Sequence, residues 1–279
     1  PPTGWGAVEI LVWDTKNALE DLGHEVQILN TKDYRHIING INSFVPDFVH
    51  VHYDEFIDII PYIQYPNAIT SHFGYLERPK MFGGYINVAN QFRDVQPNVF
   101  CLSSGIEKVY NLMFDVPKEN TYVTPNGVNT NNFEFESEAK YPDRSIYLAK
   151  IDYRKRQHLF QNIDSLWYAG NLADNNFDRN KNYLGEWSKE KLYKELTNYG
   201  NLCLLSDGEA HPLVCMEAFC AGLGVVVCEW GKANLDLDKG FITVIPEDKI
   251  NDIEFVESEI VKNREYSITH RDEILEYSK

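Results

Sequence analysis

Long apolar runs are missing from this 279-residue sequence: none approaches the roughly 20 residues that a membrane-spanning helix needs, so no span is expected. Positive charge is scarce as well. Lys and Arg number 26 against 42 Asp and Glu, a net charge of -16. Such a surface excludes nucleic acid or an anionic membrane as the main partner. Any phosphate site must be a local basic island. Cysteine is limited to Cys101, Cys203, Cys215, Cys220 and Cys228, an odd number with no CxxC pair. That excludes a disulfide framework and argues against a zinc site. Buried free thiols in a reducing, cytoplasmic compartment are expected. No His/Asp cluster has ligand spacing, and His50 and His52 alternate along a strand as packing or lining residues, so no metal or other cofactor is expected. Gly4-Trp5-Gly6 lacks the third glycine of a dinucleotide fingerprint, which leaves a dehydrogenase poorly supported. No secretory signal is expected, and the sequence opens directly in a loop, so a first β-strand is expected to lie outside the numbering.

The remaining composition, 43% hydrophobic and 24% charged, is that of a soluble globular chain long enough for two ordinary domains. The most informative stretch runs from Asn201 to Trp230 and reads as strand, loop, helix, strand. Leu202 to Leu205 form an apolar run that Ser206, Asp207 and Gly208 break. Pro212 suits the start of a helix, Leu213, Met216 and Phe219 share one side of it, and Gly222 closes it as an αL cap. Val225 to Val227 form the next buried strand. Glu209 precedes this helix and Glu217 lies along it, with seven residues between them. A diphosphate can rest on the free N–H groups near Pro212 and Leu213. Glu217, about 8 Å further along the axis, can then hold a ribose, while Glu209 faces the sugar end. The same spacing also suits an acid that merely favours the helix dipole and a partly exposed helix Glu. Spacing alone leaves both open.

Strands alternate with helices along the rest of the chain, which means parallel sheets covered on both faces. In the first half a helix ends at Gly23, and strands are expected at His24–Leu29, Phe48–Tyr53, Asn67–His72, Val99–Leu102 and Tyr122–Thr124. Pro125-Asn126-Gly127-Val128 ends that half, either as a functional turn or as plain turn chemistry. Residues 1–130 are read as one Rossmann-like domain, 131–144 as a polar linker and 145–263 as a second such domain. Residues 264–279 form a terminal helix that can return to the first domain. A second basic segment follows the strand Ile146–Ile151: Lys150, Arg154, Lys155 and Arg156 put four cations within seven residues. They suit a phosphate site or a solvated helix start.

These segments resemble retaining glycosyltransferases of the GT-B fold, glycosyltransferase family 4 in particular. The Glu209–Gly222 stretch is similar to that family's E-x7-E segment, with Ala210 and His211 standing where the family has Gly-Phe. Lys150 and Lys155 stand at the Arg and Lys positions of its Gly-Arg-Leu…Lys-Gly segment, and Gly23-His24-Glu25-Val26 matches its Gly-His-Glu-Val phrase. The resemblance implies an α/β fold of two doubly wound parallel-sheet domains facing across a cleft. It implies a metal-independent hexosyltransferase that uses a nucleotide-diphosphate sugar, UDP- or GDP-linked, and an acceptor hydroxyl on a glycan, lipid or small molecule. Glu209, His72 and Lys155 are the implied catalytic residues. Lys150, Lys155, Pro212, Leu213, Val214, Glu217, Leu184 and Gly6 are expected to bind the donor, and Trp5, Tyr53, Asp54 and Tyr75 the acceptor. A non-catalytic nucleotide-sugar binder and another GT-B enzyme, such as a nucleotide-sugar epimerase, are the alternatives.

Overall fold

The computed structural model describes residues 7–179 and 182–279, and the chain divides into two units at Asn126/Gly127. In the first unit, helix α1 (Ala7–Asp21) ends at Gly23, whose φ of 91° is the left-handed turn that glycine tolerates without strain. Helix α2 (Tyr34–Phe44) follows, capped by the Asp33 carboxylate on the N–H groups of Arg35 and His36. Four short parallel strands make the sheet: β1 (Val49–His52), β2 (Asn67–Thr70), β3 (Val99–Cys101) and β4 (Thr121–Val123), paired in that order. Helix α3 (Ile86–Val95) precedes β3 and α4 (Ser104–Met113) follows it. Ser103 caps α4 by accepting from the Ile106 N–H.

One expected strand does not form. Residues 24–30 carry the alternation of a strand, yet among the described residues they pair with none. Periodicity reports a residue's preference and cannot supply a neighbour to bond.

The second unit contains a five-stranded parallel sheet of β5 (Tyr141–Leu148), β6 (Leu166–Ala169), β7 (Tyr199–Leu204), β8 (Gly224–Cys228) and β9 (Ile242–Ile245). Its spatial order is β6-β5-β7-β8-β9. Every residue of β7 and β8 is buried, as apolar strands covered on both faces require. Helices α5 (Gln157–Phe160), α6 (Lys189–Glu195), α7 (Leu213–Cys220), α8 (Ile253–Thr269) and α9 (Arg271–Tyr277) complete the unit. The residues read as a linker, 131–144, belong to this unit, and Tyr141 already pairs with Tyr199. Helix α9 belongs to it too: buried Arg271 donates to the carbonyls of Thr197, Tyr199, Ala221 and Glu136. All five cysteines are free and buried. Among the described residues no helix is long and apolar enough to cross a membrane.

The strand order determines where a ligand can bind. From β5 the chain moves to β6 on one side, then returns to β7 on the other. In an open parallel sheet that reversal splays the two following loops apart and leaves a crevice at the carboxyl ends of the two strands. Here those loops are residues 149–156 and 205–212.

Candidate active site

The two loops at the switch point are tied together by backbone. The Asp207 N–H donates to the Arg154 carbonyl at 2.7 Å. Below them Tyr147 of β5 is fully buried, and its hydroxyl donates to the Lys155 carbonyl and accepts from the Leu205 N–H at 2.8 Å. This strap fixes Lys155 relative to the segment that carries Glu209.

Glu209 is the centre of the resulting cluster. Its Oε1 accepts from Lys155 Nζ and from Ser206 Oγ, and Arg154 Nη1 lies 3.4 Å away while also donating to the Gly208 carbonyl. The Glu209 side chain is only 12% exposed and that of Lys155 13%. Burial pushes the Glu209 carboxyl up, but Lys155 and then Arg154 outweigh it and hold it below the usual range. The carboxylate is therefore ionised and the cations are gathered around it. Arg156 adopts a left-handed φ of 57°. Its guanidinium turns onto Asp207 and Glu247 and takes no part in the cluster.

Helix α7 starts beside this group. Pro212 is its cap residue and offers no side-chain acceptor, so the N–H groups of Leu213 and Val214 have no side-chain cap. Gly222 ends the helix at φ 75°, with Phe135 so close that a Cβ would meet it at 2.6 Å. The buried side of α7 is Cys215, Ala218 and Phe219, whereas Leu213 and Met216 are half-buried, so the expected stripe is rotated. Glu217 is buried and accepts from Lys189 Nζ at the start of α6. The Leu184 N–H donates to the carbonyl of Tyr168 in β6 at 2.8 Å. Lys150 stands apart: it is exposed and makes no ion pair among the described residues.

The first unit gathers the other expected residues into two groups. His72 Nε2 lies 3.2 Å from His52 Nδ1, while His50 Nε2 contacts Thr70 Oγ1 at 2.7 Å. Desolvation holds His72 at about 4 and His52 at about 2, so both rings are neutral near pH 7. Asp54 is turned inward, not toward an acceptor. It is buried, accepts from Ser71 Oγ at 3.0 Å, and burial pushes its pKa up to about 6. Tyr53 has φ 76°, and burial, with the Glu9 carboxylate nearby, pushes its hydroxyl up to about 12. Tyr75 is half-buried against Phe73. Trp5 and Gly6 lie outside the described residues.

Arg154, Ser206, Tyr147 and Lys189 were not singled out by sequence reasoning. Arg154 was visible only as one of four cations. Nothing in the sequence marks a tyrosine inside β5 as a strap. Conversely, the sequence contains one Asp-x-Asp, Asp236-Leu237-Asp238, whose Asp238 N–H donates to the Asp236 carboxylate at 3.2 Å within a turn.

No family model matches the chain, and no curated protein matches its sequence. Solved structures do match in shape. HepE of Anabaena, in complex with UDP and glucose, superposes with a TM-score of 0.69 at 12% identity, over 95% of this chain and 84% of that one. The fold is GT-B. WaaG, a glycosyltransferase involved in lipopolysaccharide biosynthesis, gives 0.68 at 11% identity, over 98% of this chain and 92% of its own. Sucrose-phosphate synthase from Thermosynechococcus elongatus gives 0.67 at 15%, over 91% and 75%. At these identities the likeness concerns the fold.

Proposed function

We propose that this GT-B chain is a glycosyltransferase that transfers a hexosyl group from a UDP- or GDP-sugar to an acceptor hydroxyl, with retention and without a metal. One observation carries the reading: Lys155 and Arg154 converge on Glu209 at the switch point, beside the uncapped start of α7. The HepE structure that contains UDP and glucose supports a nucleotide-sugar donor.

In this mechanism the C1–O bond to the β-phosphate breaks and the acceptor oxygen forms the new bond to C1 from the same side. The acceptor proton passes to the departing phosphate oxygen. Negative charge builds on the diphosphate as the sugar becomes oxocarbenium-like. Lys155, Arg154 and the N–H groups of Leu213 and Val214 stabilise that charge. Donor entry moves Lys155 from Glu209 to the phosphate, and the freed carboxylate accepts hydroxyls of the donor sugar. Glu217 takes the ribose hydroxyls, with Lys189 neutralising it, and backbone near Leu184 meets the base. Helix terminus and cations together supply the positive charge that a divalent ion supplies elsewhere.

Turnover of UDP- and GDP-hexoses, read as released nucleotide diphosphate with and without sugar acceptors, tests the reading. Activity that Glu209→Gln abolishes supports it. Donor binding without any turnover across the panel would instead establish the binder, a reading to which the isolation of Lys150 lends weight.

A further inference from the structure

Among the described residues of the second unit, those other than glycine with positive φ are Arg156, Asn182 and Asn234. Asparagine enters this region at low cost, because its short side chain bonds locally. Arginine does not. Arg156, at φ 57° and ψ 16°, directly follows Lys155 and closes the turn that carries it. A residue with a Cβ keeps such a conformation only where its surroundings over-determine it.

The surroundings that do so are two carboxylates on two other loops. The guanidinium grips Glu247 with both ends of its fork, Nη2 at 2.5 Å and Nη1 at 3.2 Å, and Nη2 also donates to Asp207. Asp207 belongs to the loop after β7, and Glu247 stands just after β9. Strands β5 and β9 are separated by β7 and β8, about 14 Å apart at the spacing of a sheet. The loop after β5 therefore leans over the carboxyl ends of the strands between them. The Arg156 side chain is 13% exposed and engaged by two acids, which makes it a poor phosphate ligand in its own right.

The rest of the turn shows what the corner controls. Before it, the Asp152 carboxylate accepts from the Lys155 N–H at 3.0 Å. After it, Gln157 is fully buried and donates to the Lys150 carbonyl at 2.9 Å. With Gln157 anchored in the core, relaxation of Arg156 to negative φ displaces the Lys155 end. Arg154 has its own tether, to the Gly208 carbonyl. We propose that Arg156 is a positioning residue for diphosphate binding: its grip on Asp207 and Glu247 holds the left-handed corner that aims Lys155 at the Glu209 cluster. This inference rests on the donor site proposed above, and Arg156 acts there through Lys155.

UDP and GDP affinities measured by calorimetry, with uridine and guanosine as controls, test it. Arg156→Met keeps the bulk and loses both ion pairs. It is expected to weaken nucleotide binding about 10-fold, the order of the left-handed penalty for a residue with a Cβ, and to leave nucleoside binding unchanged. Arg156→Gly loses the same ion pairs but takes φ 57° freely, and is expected to recover most of that affinity. Ion pairs that merely stabilise the fold would give both variants the same loss. In a Lys155→Ala background Arg156→Met is expected to change nucleotide binding by less than about twofold, because the two residues act through one contact. Equal affinities of the Met and Gly variants would overturn the proposal. So would an undiminished loss in the Lys155→Ala background, which would make Arg156 a phosphate ligand itself. Should Arg156→Met not fold, Glu247→Gln takes its place: it should weaken nucleotide binding in the native chain and have no effect once Arg156→Gly is present. A native chain that binds neither UDP nor GDP overturns the donor reading and this inference with it, whereas a native chain that binds, with variants that fail these comparisons, overturns this inference alone.

Discussion

The Asp207 N–H donates to the carbonyl of Arg154 at 2.7 Å, joining the loop after β5 to the loop after β7. The functional proposal depends on these loops being held in register, because one carries the cations and the other the acid and the start of α7.

The register rests on Tyr147. Its buried hydroxyl serves the Lys155 carbonyl and the Leu205 N–H at once. Tyr147→Phe leaves both backbone groups unsatisfied and is expected to lower stability by about 1–3 kcal/mol, measured by urea unfolding. An unchanged midpoint would mean that the loops hold together without it.

The cations differ in value. Lys155→Ala and Arg154→Ala are expected to weaken UDP or GDP binding by roughly 10- to 100-fold, as loss of a charge-assisted contact does, with little change for uridine or guanosine. Lys150→Ala is expected to change either by less than about threefold, as for an exposed charge outside the cluster. Calorimetry on the three variants checks the order. Equal losses for nucleoside and nucleotide would contradict a phosphate role.

His211 gives a pH dependence with a definite sign. It is buried, and desolvation holds it at about 4 against an ordinary 6.5. Between those values the unfolded chain binds a proton that the folded chain does not, so stability falls as pH drops from 6.5 toward 4. The slope for this one group is at most about 1.4 kcal/mol per pH unit. His50, His52 and His72 act in the same direction, whereas Asp54, pushed up to about 6 by burial, opposes them. The difference between the native chain and His211→Phe isolates the term: the variant should lose part of the acid slope and keep its stability at pH 8. Parallel curves would show that His211 is not neutral in the folded state.

Arg271 is 2% exposed and donates to backbone carbonyls and to the Thr197 hydroxyl, with no carboxylate partner among these bonds. Arg271→Ala strands several buried acceptors at once. It is expected to cost about 3 kcal/mol or more, seen as a lowered thermal midpoint of the second unit.

Much of this was legible in the sequence because it is local. Gly23 and Gly222 mark helix ends that require positive φ, and the alternation of apolar segments indicates parallel sheets. The run from Asn201 to Trp230 contains strand, turn, helix and strand in order, because each is decided by near neighbours. What depends on distant partners was not legible. Residues 24–30 have the pattern of a strand but no bonding neighbour among the described residues. Arg154 rather than Lys150 reaches Glu209 because the turn after Asp152 points it there, with the Asp152 carboxylate accepting from the Lys155 N–H at 3.0 Å. Tyr147 resembles any core aromatic until its two backbone partners, 8 and 58 residues away, are known.

The most direct test is a crystal soaked with UDP or GDP. The account predicts the diphosphate against Lys155 Nζ, the Arg154 guanidinium and the N–H groups of Leu213 and Val214, with Glu209 released from Lys155 and Glu217 on the ribose. Nucleotide bound elsewhere, with the Lys155–Glu209 pair intact, would contradict it.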